Sequence, residues 1–447
     1  MGIYYCLLAG TIILGAVMKP EKDAKRRAIF LGIAFIILAG LSAVRYSVGY
    51  DYSYGYAPHY QLVLDNPQWS IKDIHFEPAY GLLEKATSLL SQNYQMIFVT
   101  SSILMIALIM FYYYKASPNA TISVFLFLGL CQYYCSLNLI RNTLAAIICM
   151  FAFPFLKKKK IIPYILIVLV AATFHKSALL MIAFYFINLI PIKKYTLLVY
   201  SVITAFIYLN LEKIMLFVTQ YWYSGYRPKD GAPLEIFEWP FTIFEFLMFL
   251  IVLLFSKRLE KKDATNSVYV NYAFFSLFFT LMGTKYFILD RFGLYFVLAY
   301  PISFAIILMS LREEWVGWKQ LRDVTLKKIA YPIMLFTILI GTLAYHSYSL
   351  SLDHHGVVPY MFIFDQPFYT IYLDELEDDK SEATENSVVN TEEETIEEPI
   401  DEPNDPAMSS SSDTELSEES NSESMVQSPE DLPDGAPVLV DMEEFLS

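Results

Sequence analysis

Long apolar runs separated by short polar segments fill the chain up to about residue 346. A helix that spans a bilayer needs ~20 mainly apolar residues. Several runs are shorter than that, so a re-entrant segment is compatible with the pattern. The pattern predicts an all-α fold, namely a polytopic integral membrane helical bundle of about 12 transmembrane helices. The candidate spans are residues 3–18, 28–44, 96–114, 121–136, 139–156, 161–174, 177–191, 195–211, 240–256, 267–284, 291–310 and 329–346.

Basic residues recur at every second boundary between these runs. Short loops rich in Lys and Arg stay on the cytoplasmic side of a membrane. Every basic cluster follows an odd-numbered run, which predicts that both termini lie on the outer face. The clusters are Lys19, Lys22, Lys25, Arg26 and Arg27; Lys115; Lys157 to Lys160; Lys193 and Lys194; Lys257, Arg258, Lys261 and Lys262; and Arg312, Lys319, Arg322, Lys327 and Lys328.

The boundaries after the even-numbered runs have a different character. They carry the long segments 45–95 and 212–239, which are rich in Tyr, Trp, Pro and Asn. They also carry ionisable residues that do not act as topology signals, and we expect all of these on the outer face. These residues are Arg45, Asp51, Arg141, His175, Lys176, Arg227, Lys285, Asp290 and Arg291.

Composition agrees with a membrane protein and divides the chain in two. Of the 447 residues, 55% are hydrophobic and 17% charged, which excludes an ordinary soluble globular protein. The net charge of −14 comes from the C-terminus, where 26 acidic residues and one Lys follow Leu373; the rest holds 20 acids and 31 bases. We therefore predict a membrane domain over 1–372 and a disordered acidic tail over 373–447.

Two of the charged positions stand beside polar or aromatic residues. Arg45 and Asp51 share a tyrosine-rich turn that includes Tyr52, where Arg either anchors a helix in head groups or is fixed by Asp51. Arg141 has Asn138 and Asn142 on the same helical side. An arginine there either snorkels to the head groups or faces a polar cavity, and the asparagines favour the cavity.

The two other positions are His175-Lys176 and Asp290-Arg291. The first is either a tight polar turn between two helices or a site where the His175 imidazole acts as an acid or base near neutral pH. Asp290 is an ordinary helix cap, whereas Arg291 opposes the helix dipole and calls for an anionic partner.

Three arginines and a histidine on one aqueous face suit an anionic, lipid-linked substrate, especially a lipid diphosphate. No Gly-rich phosphate loop and no acidic pair accompany them. We therefore expect neither a metal nor another cofactor, and no nucleic-acid partner.

Five short motifs, in order, resemble those of the EpsG family of bacterial exopolysaccharide proteins. The resemblance as a whole extends over roughly residues 1–365. Ile140 stands where the family usually has Gln before its Arg, which leaves recognition of that Gln's partner open. The motifs are Val48-Gly49-Tyr50-Asp51-Tyr52-Ser53-Tyr54, Leu139-Ile140-Arg141-Asn142-Thr143-Leu144-Ala145, Phe174-His175-Lys176-Ser177-Ala178, Asp290-Arg291-Phe292-Gly293-Leu294-Tyr295-Phe296 and Gly356-Val357-Val358-Pro359-Tyr360-Met361-Phe362.

The resemblance implies a Wzy-like polysaccharide polymerase with a fold related to the GT-C membrane glycosyltransferases. Such a protein joins oligosaccharide repeat units linked to polyprenyl diphosphate, such as undecaprenyl diphosphate, on the outer face of a bacterial cell membrane. The pathways make capsule, exopolysaccharide or O-antigen. Membrane lipids and other polysaccharide-assembly proteins are the further partners that this implies.

On this reading each candidate residue has an expected role. Arg141 and Arg291 stabilise the departing diphosphate, and either His175 or Asp51 accepts the acceptor's proton. The other expected substrate contacts are Arg45, which holds a second diphosphate or pairs with Asp51, then Lys176, Tyr52, Asn138 and Asn142. Tyr52 either stacks on a sugar ring or anchors at the interface.

Two other functions fit the same residues. A transporter or flippase of lipid-linked oligosaccharides would use the same cationic cavity without forming a bond. A membrane acyltransferase would need His175 or a cysteine as its catalytic group, and the cysteines have no base beside them. The crowding of polar residues on one face favours chemistry there over transport.

Overall fold

The computed structural model describes residues 1–190, 192–221, 239–318 and 327–364. Within these ranges the regular elements are helices and no strand forms, which confirms the predicted all-helical fold for that part of the chain. Arg227 and the predicted acidic tail lie outside the described residues. The boundary predicted between residues 372 and 373 lies outside them as well.

The first half of the chain contains eleven α-helices and two short helices of other types within the described residues. The α-helices are α1 (Gly2–Met18), α2 (Ala24–Ala43), α3 (Ala57–Asp65), α4 (Pro78–Ser88), α5 (Gln95–Ala116), α6 (Ala120–Gly129), α7 (Gln132–Asn138), α8 (Ile140–Met150), α9 (Phe153–Lys157), α10 (Ile161–Ala172) and α11 (Leu180–Ile187). A π-helix (Tyr52–Tyr56) precedes α3, and a 3-10 helix (Lys176–Leu179) precedes α11.

The second half continues in the same way. Its α-helices are α12 (Lys194–Leu209), α13 (Leu211–Tyr221), α14 (Trp239–Leu254), α15 (Ser256–Lys262), α16 (Val268–Gly283), α17 (Asp290–Val297), α18 (Tyr300–Trp318) and α19 (Lys327–Leu352). Two 3-10 helices, Ala264–Ser267 and Phe287–Leu289, precede α16 and α17.

The helices support a multi-pass membrane protein. Four segments in the described ranges are long and apolar enough to cross a bilayer: Ala24–Ala43, Gln95–Ala116, Ile140–Lys157 and Ile329–Leu352. The number rises to eight if each of four bent helix pairs is one span, with bends between 42° and 68°. Each of the twelve predicted runs contains a helix, and the count of twelve spans stays a prediction.

The segment 45–95 is not the open loop that its polarity suggests. It folds into the π-helix, α3 and α4, and it builds a hydrophobic cluster of its own around Tyr56, Tyr60 and Tyr80. Pro58 and Pro78 stand in the first turns of α3 and α4, where a missing N–H costs nothing and the fixed φ favours helix. The result is a folded helical segment between α2 and α5.

The first of the five motifs and the residues just before it pair with the last motif through their backbones. Tyr46 N donates to Met361 O at 3.0 Å, and Gly49 N donates to Gly356 O at 2.7 Å. Gly49 has a φ of 100°, and a Cβ there would lie 2.7 Å from the Leu137 carbonyl oxygen. Only glycine fits this position without displacing backbone. This pairing ties the end of α2 to the segment after α19.

Candidate functional site

Glu77 joins two of the segments that the sequence singles out. It precedes α4 in extended backbone, and its Oε2 accepts a hydrogen bond of 2.6 Å from Arg141 Nη1 at the start of α8. Its Oε1 lies 3.0 Å from His175 Nδ1 and accepts the Lys176 backbone N–H at 3.1 Å. One carboxylate therefore holds an arginine and a histidine that are distant in sequence. We call Glu77, Arg141 and His175 the Glu77 cluster.

Local chain geometry brings these three side chains together. The non-helical Leu139 separates α7 from α8, so Arg141 lies in the first turn of α8. Its backbone N–H donates to the Tyr56 hydroxyl at 3.1 Å. Ala79 N donates to Thr173 O at 2.9 Å, which fixes the start of α4 against the end of α10. Glu77 lies two residues before Ala79, and His175 lies two residues after Thr173, so this contact holds both residues near each other.

The Glu77 carboxylate is ionised at neutral pH. Burial by itself raises the pKa of Glu77, since its side chain is only 7% exposed. The hydrogen bond from His175 and the charge of Arg141 outweigh burial and lower the pKa to about 2. The cluster thus keeps a buried anion between two cationic or hydrogen-donating partners.

The same contact orients His175. With its Nδ1 directed at Glu77, a neutral imidazole carries its proton on Nδ1 and leaves Nε2 as the acceptor. The ring is 27% exposed, so a substrate can reach it. A carboxylate that fixes the tautomer of a histidine is an arrangement suited to general-base chemistry. The Lys176 side chain is exposed beside it.

An aromatic wall supports Arg141 from behind. The Arg141 Cζ lies 3.9 Å from the centre of the Phe76 ring. The His59 ring also packs against Phe76, with the two ring centres 3.8 Å apart. His59 is buried and its Nδ1 lies 3.1 Å from Glu84 Oε1. The guanidinium is therefore held by a carboxylate and by a ring that is itself packed in place.

Asp51, Arg291 and the two asparagines adjoin the Glu77 cluster. Asp51 N donates to Asn138 Oδ1 at 2.8 Å, and Asn142 Nδ2 donates to Arg291 O at 3.0 Å. Burial raises the pKa of Asp51, and the charges of Arg291 and Arg141 lower it in part. Asp51 thus lies within the field of both arginines. Residues from α7, α8 and α17 meet here.

Arg45 and Tyr52 lie elsewhere. The Arg45 side chain is 0% exposed, and its guanidinium bonds the oxygens of Ser42, Ser102 and Leu137. The Tyr52 ring stacks on Phe98 with centres 3.9 Å apart and is 1% exposed. The expected Arg45–Asp51 pair is not among the ion pairs of the described residues. Neither side chain can touch a substrate in this arrangement.

Glu77 is the residue that the sequence reasoning missed. It is an acid in a segment expected on the outer face, directly before a proline that starts a helix, in Phe76-Glu77-Pro78. That context was a usable signal, because the proline fixes the preceding residue in extended backbone beside a helix start. Within the described ranges, no group of three His, Cys, Asp or Glu side chains is placed to hold a metal ion.

The comparisons with known proteins give one match. A family model described as EpsG family matches residues 28–362, which is well over half of the chain. The match includes Glu77, Arg141, His175 and Arg291. No curated protein and no solved structure matches the chain significantly.

Proposed function

The chain belongs to the EpsG family, which is linked to exopolysaccharide biosynthesis, and from this we propose that it is a Wzy-like polysaccharide polymerase. It joins oligosaccharide repeat units that are carried on polyprenyl diphosphate. The site lies on the outer face of a bacterial cytoplasmic membrane, in a bundle of twelve spans related to the GT-C glycosyltransferases. The positions of the basic loops support this orientation.

The Glu77 cluster carries the proposal. A polymerase of this kind needs a base for the acceptor hydroxyl and cations for the departing diphosphate. The cluster offers both at one carboxylate, with His175 oriented on one oxygen and Arg141 held 2.6 Å from the other. A transport site would need the cations but would have no use for an oriented base.

The proposed reaction uses both partners of the Glu77 carboxylate. His175 Nε2 accepts the proton of the sugar hydroxyl at the non-reducing end of a new repeat unit. The hydroxyl oxygen forms a bond with the anomeric carbon of the growing chain, and the bond between that carbon and the phosphate oxygen breaks. The polyprenyl diphosphate leaves with the electron pair, and Arg141 and Arg291 stabilise its charge. Asp51 lies in the field of both arginines and is the second candidate base.

Purified full-length protein tests the proposal in detergent. Lipid-linked repeat units are supplied without any membrane gradient, and product length is followed on gels. We expect elongation by the wild type and a loss of roughly 10²–10⁴-fold for His175→Ala. His75→Ala is the matched control, because His75 is an exposed histidine in the other outer segment, 45–95. Elongation without a membrane would exclude simple transport, whereas normal elongation by His175→Ala would remove His175 as the base.

A further inference from the structure

A polar cavity opens close to the Glu77 cluster. It has a volume of about 120 Å³, between α7, α14, α16, α17 and the end of α19. A single water needs only ~10–15 Å³ by the same kind of measure, so the cavity has room for a larger occupant. Its walls come from helix ends that the basic-loop pattern places on the outer face.

Several polar atoms of this cavity have no hydrogen-bond partner within the described part of the chain. They are Gln132 Oε1, Arg291 Nε and His355 Nδ1, and all three are buried. Buried polar groups in native proteins are nearly always hydrogen-bonded, because an unpaired one costs about 1–3 kcal/mol. Acceptor and donor atoms of this kind in one cavity indicate an occupant that both donates and accepts.

The charges of the lining distinguish between possible occupants. Arg291 and His355 face the same space as the acidic side chains of Glu245 and Asp290, and the Tyr300 hydroxyl donates to Glu245 Oε2 at 2.9 Å. The Asp290 carboxylate repels a diphosphate, whereas acidic side chains accept hydrogen bonds from hydroxyl groups. A neutral polyol matches this mixed lining, since each hydroxyl can donate to a carboxylate and accept from an arginine.

Aromatic side chains complete the walls. Phe241, Phe287 and Tyr345 line the cavity, and the rings of Phe241 and Tyr345 are in edge contact with centres 5.5 Å apart. Apolar ring faces beside a few convergent polar groups are typical of small-molecule sites. A pyranose has both an apolar C–H face and a polar rim, so it fits such walls.

The cavity is connected to the Glu77 cluster through residues next to Arg141. Arg291 lines it, and its carbonyl oxygen bonds Asn142, the neighbour of Arg141. Leu139, two residues before Arg141, is also in its wall. We propose that this cavity is a subsite for one neutral sugar ring of the lipid-linked glycan, a role that rests on the proposed polymerase function. The diphosphate binds at the Glu77 cluster, and the adjoining ring enters the cavity.

Ligand protection of the full-length protein in detergent tests the subsite directly. The probes are neutral methyl glycosides of hexoses and N-acetylhexosamines, with sodium pyrophosphate as the anionic comparison. We expect at least one glycoside to raise the unfolding temperature of the wild type in a saturable manner. Thr280→Leu, which fills the cavity, and His355→Phe, which keeps a ring but removes Nδ1, should each weaken that binding about fivefold or more. Thr11→Leu in α1 is the control and should bind as the wild type does.

Kinetics separate this inference from the polymerase proposal. Both cavity variants should raise the KM for lipid-linked units with little change in kcat, because they contact a bound sugar and not the reacting atoms. Glycoside binding that the variants weaken, in a protein that never elongates, would support the subsite and overturn the polymerase. Elongation by a wild type that no glycoside protects would overturn the subsite alone. Pyrophosphate protection that Thr280→Leu abolishes would also overturn it, because the cavity would then bind the anion.

Discussion

Arg141 and Arg45 occupy equivalent places in the sequence and different ones in the fold. Arg45 follows an apolar run and Arg141 lies at the start of one, each beside polar residues. Arg141 was expected to stabilise a departing diphosphate, and Arg45 either to hold a second diphosphate or to pair with Asp51. Arg141 is 21% exposed and bonds the Glu77 carboxylate, whereas Arg45 is 0% exposed and bonds neutral oxygens. The partner that another segment supplies, and not the local sequence, decides what each arginine does.

The Arg45 contacts show the structural role of a buried guanidinium. Its Nη1 lies 2.9 Å from Ser42 Oγ and 3.2 Å from Ser102 Oγ, and its Nη2 lies 3.4 Å from Leu137 O. The Phe98 ring centre is 5.0 Å from its Cζ. These contacts connect α2, α5 and α7, and the Leu137 carbonyl oxygen that Arg45 bonds is also the one that Gly49 approaches. Arg45 therefore stabilises the packing of α2, α5 and α7, which we call the frame. Arg141 lies in α8, which directly follows α7.

Among the variants that compare the two arginines and their surroundings, Arg141→Ala should have the largest effect on the elongation rate per folded molecule. The substitution removes a preorganised cation from the departing diphosphate, which typically costs ~10²–10³ in rate. The measurement is elongation of lipid-linked units, normalised to folded protein by size-exclusion chromatography. Arg26→Ala, at an exposed ion pair with Asp23, is the control and should elongate normally. A folded Arg141→Ala protein with full activity would show that Arg141, like Arg45, is not needed for the reaction.

Glu77→Gln should have the next effect, a fall of roughly 10–10²-fold, by analogy with the loss of a group that orients a catalytic side chain. The amide keeps the shape, but it no longer attracts Arg141 or fixes the His175 tautomer. A loss of activity in protein that elutes as the wild type does, assayed well below its own unfolding temperature, would indicate a catalytic and not only a structural effect. Unaltered elongation would mean that Glu77 does not contribute to the reaction.

Glu77 also predicts a pH dependence of stability. Its pKa falls from an ordinary 4.5 to about 2 in the folded protein, so its ionised form stabilises the fold at every pH above 4.5. That contribution, about 3 kcal/mol, is lost as the pH falls from 4.5 towards 2. The difference in unfolding temperature between wild type and Glu77→Gln should therefore be constant at pH 5–7 and shrink at pH 4 and 3. A difference that grows on acidification would contradict the assigned pKa.

Phe76→Leu should have a smaller effect. The ring packs against the Arg141 guanidinium on one side and His59 on the other, and a cation–π contact contributes ~0.5–2 kcal/mol. Leucine keeps an apolar wall, so we expect a decrease in elongation of about 2- to 30-fold. Phe111→Leu, on an exposed face of α5, is the control. A loss as large as that of Arg141→Ala would mean that Phe76 contacts the substrate itself.

The sequence predicted the helices well and the site in part. Apolar runs are a local signal, so a helix lies in each of the twelve segments. The outer segment 45–95 was harder, because its helices are short and carry buried tyrosines, such as Tyr60 and Tyr80, that read as polar loop. Arg141 and His175 stood out as charges beside apolar runs. Glu77 did not, because it meets them from 64 and 98 residues away.

Arg45→Met should change the elongation rate per folded molecule least, within about twofold, although it should reduce stability the most of the variants away from the Glu77 cluster. Methionine keeps the length of the side chain, but it leaves the oxygens of Ser42 and Leu137 without their donor, at about 1–3 kcal/mol for each buried group. The measurements are the yield of folded protein, its unfolding temperature, and elongation by the folded fraction, with Arg26→Met as control. Low yield with normal activity in the folded fraction would establish Arg45 as part of the frame. A stable Arg45→Met protein without activity would instead show that the frame opens during the reaction and that this arginine reaches the substrate.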